Sequence, residues 1–174
     1  MSKHYSSGAE LSAKVLNGVN ILADNVASTL GPRGRTVLLQ RAGTGPFVSK
    51  DGVTVADHVV LDDPIENAAV HILKQASSQT NTLAGDGTTT SMVLARAILQ
   101  EAQKHIVAGT PPIEIKRAID RATEVLVANL KEASTPIQSE EDIAHIATIS
   151  ANNDETIGNL IAKAVDCVGK DCSI

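Results

Sequence analysis

Three short stretches of this chain carry residues whose types and spacing could do chemistry. In Gly85-Asp86-Gly87-Thr88-Thr89-Thr90, two glycines flank a carboxylate, three hydroxyls follow, and an apolar-periodic segment begins at once. Backbone N–H groups at a helix start are unpaired and favour an anion. Asp86 adds an oxygen ligand of the kind Mg²⁺ prefers. Taken alone, the commoner explanation is a Gly-Asp-Gly turn with a threonine N-cap. Two further loops change that weighing: Thr29-Leu30-Gly31-Pro32-Arg33-Gly34-Arg35 and Lys50-Asp51-Gly52. Together the three offer N–H groups, hydroxyls, two carboxylates and several cations, an inventory that suits a polyphosphate with Mg²⁺.

Other chemistries find no support. The chain lacks the G-x-x-x-x-G-K-[ST] phosphate loop, H-E-x-x-H, G-x-S-x-G and G-x-G-x-x-G. Histidines 4, 58, 71, 105 and 145 show no ligand pairing and read as surface residues. Cys167 and Cys172 stand five positions apart without further ligands, so they read as reduced thiols, with Cys167 a small packing residue.

The elements that must position these loops are mainly helical. From Ala9, Leu11, Val15, Val19, Leu22 and Val26 recur at helical spacing, and Gly31-Pro32 stops the helix near Leu30. Thr36–Leu39 and Phe47–Ser49 form a small β-hairpin, followed by a short helix or extended piece over Val53–His58. Pro64 opens a helix over Ile65–Leu83, with Asp62 and Asp63 at its start and Ala69, Ile72, Leu73, Ala76 and Thr80 on one side. After the break at Gly85–Gly87, Leu94, Ile98, Ala102 and Ile106 align on a second long helix. Gly109-Thr110-Pro111-Pro112 separates it from a third, whose stripe is Ile115, Ile119, Ala122, Leu126, Leu130 and Ala133. Ser134-Thr135-Pro136 is the candidate domain boundary. Beyond it, Ser139 and Asp142 resemble a capping box. Asn153 is placed as N-cap of a last helix carrying Ile157, Leu160, Ile161, Ala164, Val165 and Val168, which Gly169 closes. The fold class is mainly α, multihelical, with one small β-hairpin.

Composition narrows the partners. With 174 residues, 43% hydrophobic and 20% charged, the chain is globular rather than disordered. Tyr5 and Phe47 are its only aromatics, so the core must be aliphatic, and stacking platforms for single-stranded nucleic acid are missing. Net charge is −5, with six Lys/Arg against four Asp/Glu up to residue 60 and nine against sixteen afterwards. No basic block tracks a phosphate backbone, so nucleic acid is not expected as a partner. No apolar run reaches membrane-spanning length, and no signal-peptide core is present in the sequence, so no membrane partner is expected either.

Four stretches in register resemble the group I chaperonins, the GroEL type. They are Thr29–Arg35, Ser49-Lys50-Asp51-Gly52-Val53-Thr54-Val55-Ala56, Ala84–Thr90 and Thr148-Ile149-Ser150-Ala151-Asn152. The resemblance runs through nearly the whole chain. It implies an ATP-driven protein-folding subunit, with residues 1–133 the N-terminal part of an equatorial ATP-binding domain and 134–174 the first segment of an intermediate, hinge-like domain. By resemblance, Asp86 matches the Mg²⁺-ligating aspartate. Gly87, Thr88, Thr89 and Thr90 match the phosphate-binding helix start. Thr29, Leu30, Gly31 and Pro32 match the loop against the nucleotide. Carbonyls of Thr29 and Lys50 match the K⁺ site, Asp51 matches a catalytic aspartate near the attacking water, and Ser150 lies on the hinge side of the pocket.

The cofactors so implied are ATP, Mg²⁺ and K⁺. The implied partners are copies of the chain in a ring (heptameric, single or double), unfolded client proteins and a GroES-type cochaperonin, in the cytoplasm. The family's second catalytic aspartate belongs to a later segment and does not occur here, and Cys172 stands where the family usually has glycine. These departures motivate an alternative, a truncated or non-hydrolysing paralogue acting as a ring scaffold or binding module. A weaker third reading is an unrelated phosphate-binding enzyme.

Overall fold

The structure is a computed structural model, which describes residues 4–31, 33–40, 43, 45–151 and 153–169. Among the described residues the elements are α1 (Gly8–Ala27), β1 (Val37–Leu39), β2 (Phe47–Ser49), α2 (Gly52–His58), α3 (Pro64–Ala84), α4 (Thr88–Val107), α5 (Pro112–Ala133), α6 (Glu140–Ser150) and α7 (Glu155–Val168). This mainly helical architecture with one small hairpin agrees with the fold class expected from the sequence. The chain divides into two compact units, one up to Lys116 and one from Arg117 onward.

In the first unit α1, α3 and α4 pack pairwise, and α2 fills the space between them and β1. The core is aliphatic, as so few aromatics require. Val19, Leu22 and Val26 of α1 meet Val55 of α2, Val70 and Leu73 of α3, and Met92 of α4. Each such side chain contributes on the order of 1.5–3 kcal/mol on burial. Polar ties fix the register of the helices. Lys14 Nζ donates to Asp63 Oδ2 at 2.8 Å and Asn17 Nδ2 to Glu66 Oε1 at 2.8 Å, joining α1 to the start of α3. On the other flank Gln100 Nε2 donates to Asn20 Oδ1 at 2.8 Å, and Arg96 pairs with Asp24. β1 and β2 are antiparallel, with Val37 opposite Ser49 and Leu39 opposite Phe47. The Phe47 ring meets His58 edge-on at 5.0 Å, so His58 is a half-buried tie between hairpin and α2 rather than a surface residue.

Several expected faces are rotated. On α3 the buried positions are Ala69, Val70, Leu73 and Ser77, whereas Ile72 is 69% exposed. On α4 Met92 is fully buried with Ala95 and Leu99 packed beside it, while Leu94 and Ile98 face outward. Both helices carry apolar residues on more than one side, and packing against two neighbours selects the side that spacing alone leaves open. α5 is amphipathic in sequence but has no buried residue in this structure. α1 ends at Ala27, earlier than expected, because Thr29 and Leu30 donate to Val26 and Ala27 carbonyls in tighter i→i−3 turns.

In the second unit α6 and α7 form a helical hairpin. Ser139 and Asp142 make the expected capping box on α6, the Asp142 N–H donating to Ser139 Oγ at 3.1 Å. Asp154, not Asn153, caps α7: its Oδ1 accepts from Thr156 N and Ile157 N, and Asn153 takes the left-handed turn before it, at φ 67°. The hairpin closes on small residues, Ala147, Gly158 and Ala162, rather than on Ile157 and Leu160, which stay exposed. Cys167 is exposed, not a packing residue, and Cys172 lies outside the described residues.

Candidate functional site

The loop after α1 is built from its own backbone. Gly31 adopts φ 76°, Gly34 N donates to Gly31 O at 2.9 Å, and Arg35 N donates to Ser28 O at 2.8 Å. A β-carbon on Gly34 would collide with the Thr29 carbonyl oxygen, so the loop closes only around a glycine there. Thr29 is turned by its own hydroxyl, which donates to Val26 O at 2.7 Å. Leu30 is 46% exposed. Pro32 lies outside the described residues.

Asp51 follows exposed Lys50 and caps α2. Its Oδ2 accepts from Thr54 Oγ1 at 2.6 Å and Thr54 N at 2.9 Å, and its Oδ1 from Val53 N at 3.3 Å. Partial burial works to raise the Asp51 pKa, but the hydrogen bonds from Thr54 and Val53 outweigh it and hold the carboxyl below its ordinary value. Asp51 is therefore an anion at neutral pH. A carboxylate has about four acceptor positions, and these three donors leave one for a further partner.

Asp86 sits in the turn between α3 and α4. Gly85 ends α3 at φ 71°, and Gly87 opens α4 at φ 82°, with the Gly87 N–H donating to Asp86 Oδ1 at 2.6 Å. The threonine N-cap that the sequence allows is not formed. Gly87 holds the cap position and, having no side chain, offers the first-turn N–H groups of α4 no cap bond of its own. By contrast α2, α3, α6 and α7 each start under an Asp or Ser side chain. The N–H groups of Thr88, Thr89 and Thr90 stand in the first turn of α4, where a helix offers them no carbonyl of its own.

The three loops meet at Gly52. A β-carbon there would collide with Thr89 Oγ1 and would lie 3.6 Å from Thr29 Oγ1. Loop, cap and helix start, read separately in the sequence as Thr29–Arg35, Lys50–Gly52 and Gly85–Thr90, therefore share one place. Ser150 ends α6 in the second unit and is exposed. Asn152 lies outside the described residues.

Two residues that support the site were missed by sequence reasoning. Lys74 Nζ on α3 donates to Val59 O at 2.9 Å and Asp57 O at 3.2 Å, holding the far end of α2; its burial lowers its pKa. Ser77 Oγ donates to Thr88 O at 3.2 Å, at the start of α4. The signal for Ser77 is its position four residues after Leu73, a hydroxyl on an inward stripe. Among the described residues no group of three or more His, Cys, Asp or Glu could hold a metal by itself, and no helix is long and apolar enough to cross a membrane.

Solved chaperonin structures share this architecture. The chaperonin gp146 of the Pseudomonas aeruginosa bacteriophage EL 2, crystallised in the presence of ATP-BeFx, matches with TM-score 0.76 and 24% identity, over 94% of this chain and 29% of its own. A group III chaperonin in the open state matches with TM-score 0.78 and 24% identity, over 91% of this chain and 32% of its own. This chain thus spans about a third of the length of either structure. At the level of sequence, residues 22–173 match the TCP-1/cpn60 chaperonin family, and the chain belongs to that family.

Proposed function

We propose that this chain is the N-terminal part of an ATP-hydrolysing, group I chaperonin subunit that couples nucleotide turnover to protein folding. The observation that carries the reading is the seat of Gly52 against the Thr29 and Thr89 hydroxyls, beside a helix start whose N-cap is the left-handed Gly87. Membership of the chaperonin family over residues 22–173 supports it.

The residues present fit a nucleotide triphosphate with Mg²⁺. The N–H groups of Thr88, Thr89 and Thr90 would donate to phosphate oxygens, beside a Gly87 cap that carries no side chain of its own. Asp86 would ligate Mg²⁺, which when bound supplies charge neutralisation for phosphoryl transfer. Asp51, held ionised by Thr54 and Val53, would orient an attacking water through its remaining acceptor position. Leu30 and Gly31 would flank the nucleotide. The K⁺ site at the Thr29 and Lys50 carbonyls rests on the group I resemblance alone.

In this proposal residues 1–133 belong to the equatorial domain and 134–174, with Ser150, to the hinge-like intermediate domain. The subunit would work in the cytoplasm as a heptameric ring, single or double, acting on unfolded clients with a GroES-type cochaperonin.

Phosphate release by the full chain with Mg·ATP tests the reading. Asp86→Ala should lower turnover by about 100-fold or more, the scale of removing a charge-stabilising group from an active site. Unchanged turnover would remove Asp86 from the metal role. Assembled rings of wild-type chain without any hydrolysis would favour the scaffold alternative.

A further inference from the structure

Ser77 is the buried polar side chain among the described residues, 4% exposed, and none of the roles above uses it. It continues the inward face of α3 after the aliphatic Ala69, Val70 and Leu73. A hydroxyl shut away from water needs a partner. Ser77 Oγ finds it in the Thr88 carbonyl oxygen at 3.2 Å, which also accepts from Ser91 Oγ at 2.7 Å. Thr88 is the first residue of α4, directly after the left-handed Gly87. The next residue, Thr89, sets its hydroxyl on Gly52. The first turn of α4 is therefore gripped from two sides, by α2 through Thr89 and by α3 through Ser77.

We infer that Ser77 is a positioning residue for the triphosphate end of the nucleotide: its hydroxyl sets where the first turn of α4 stands against α3, and so where the N–H groups of Thr88 to Thr90 point. The inference rests on the reading of that turn as a phosphate site. Its own geometric content is independent, because the bond from Ser77 to Thr88 exists without a ligand.

The test uses the full chain as wild type, Ser77→Ala, Ser77→Thr and Thr123→Ala. The last loses a comparable hydroxyl-to-helix-carbonyl bond, Thr123 Oγ1 to Ile119 O at 2.8 Å, on α5. Equilibrium titration with Mg·AMP-PNP should show Kd raised about fivefold in Ser77→Ala, the scale of one lost hydrogen bond. Ser77→Thr, which keeps the hydroxyl, should return to within about twofold of wild type, and Thr123→Ala should bind as wild type does. In ligand-free protein, amide exchange at Ser91 and Met92 should be faster in Ser77→Ala only. Unchanged Kd in Ser77→Ala with a binding wild type overturns the inference while leaving the nucleotide reading intact. So does equal weakening in Ser77→Thr, or unchanged exchange at Ser91 and Met92. Wild-type chain that binds no Mg·AMP-PNP overturns both.

Discussion

Gly52 and Thr89 are in contact so close that a β-carbon on the glycine would occupy the space of the threonine hydroxyl. This contact joins the N-terminus of α2 to the second residue of α4, and the Thr29 hydroxyl stands at its edge. It is the point at which three loops separated by tens of residues become one site.

Gly52→Ala should therefore destabilise the protein, although alanine favours helix over glycine by about 1 kcal/mol. Gly52 is buried at the first position of α2, so the substitution forces a shift of Thr89 or of the helix. Overpacking of this kind costs about 1–3 kcal/mol. Adding Thr89→Ala removes the hydroxyl but leaves its β-carbon near the new methyl, so the double variant should recover part of the loss. A double-mutant cycle by chemical denaturation measures the coupling. Additive effects would mean that the contact is not what makes Gly52 necessary.

Asp51 has two separable roles to test. As N-cap of α2, its replacement by alanine should cost about 1 kcal/mol of stability, and by asparagine less, since asparagine also caps. If its carboxylate also orients water, Asp51→Asn should lose ATP turnover far beyond its small loss of stability. The pH dependence has a definite sign. The folded-state pKa lies below the ordinary value, so the contribution is present above roughly pH 4 and fades as pH falls through the folded pKa. Wild type should lose stability across that acid window more steeply than Asp51→Asn, read by thermal melts from pH 7 downward.

How much of this was legible before the structure depends on the kind of signal. Breakers and one capping box were readable: Gly85 and Gly87 adopt positive φ where the sequence breaks, and Ser139 with Asp142 forms its box. Such signals act within four residues, so local sequence contains them. Faces were not readable on α3 and α4. Ile72 and Leu94 fit a helical stripe as well as Val70 and Met92 do, and only the neighbouring helices decide between them. The site divides in the same way. Its loops were found by residue type, but their meeting at Gly52 and the partner that Ser77 finds in Thr88 are contacts between separate helices, set by packing rather than by local sequence. Asn153 was misplaced as a cap because Asn and Asp share that preference, and only the backbone shows Asp154 at the extended cap position.

The second unit offers a prediction of its own at Gly158. This glycine is buried in the first turns of α7, and a β-carbon on it would strike the hydroxyl of Thr148 and come within 2.8 Å of the Thr148 backbone nitrogen. The nitrogen belongs to α6, so a rotamer change at Thr148 cannot relieve the contact, and the two helices must move apart. Separation would uncover Ala147 and Ala162, the other buried residues of the hairpin. Gly158→Ala should thus cost about 1–3 kcal/mol in spite of its better helix propensity. Adding Thr148→Ala should restore little, because the backbone clash remains. That outcome contrasts with the partial rescue expected at Gly52, where the nearest obstacle is a side chain. Amide exchange along Glu140–Ser150 and Glu155–Val168 reads the effect locally, and faster exchange in both helices of Gly158→Ala is the expected result. Full recovery by Thr148→Ala would show that the hydroxyl alone sets the spacing of α6 and α7.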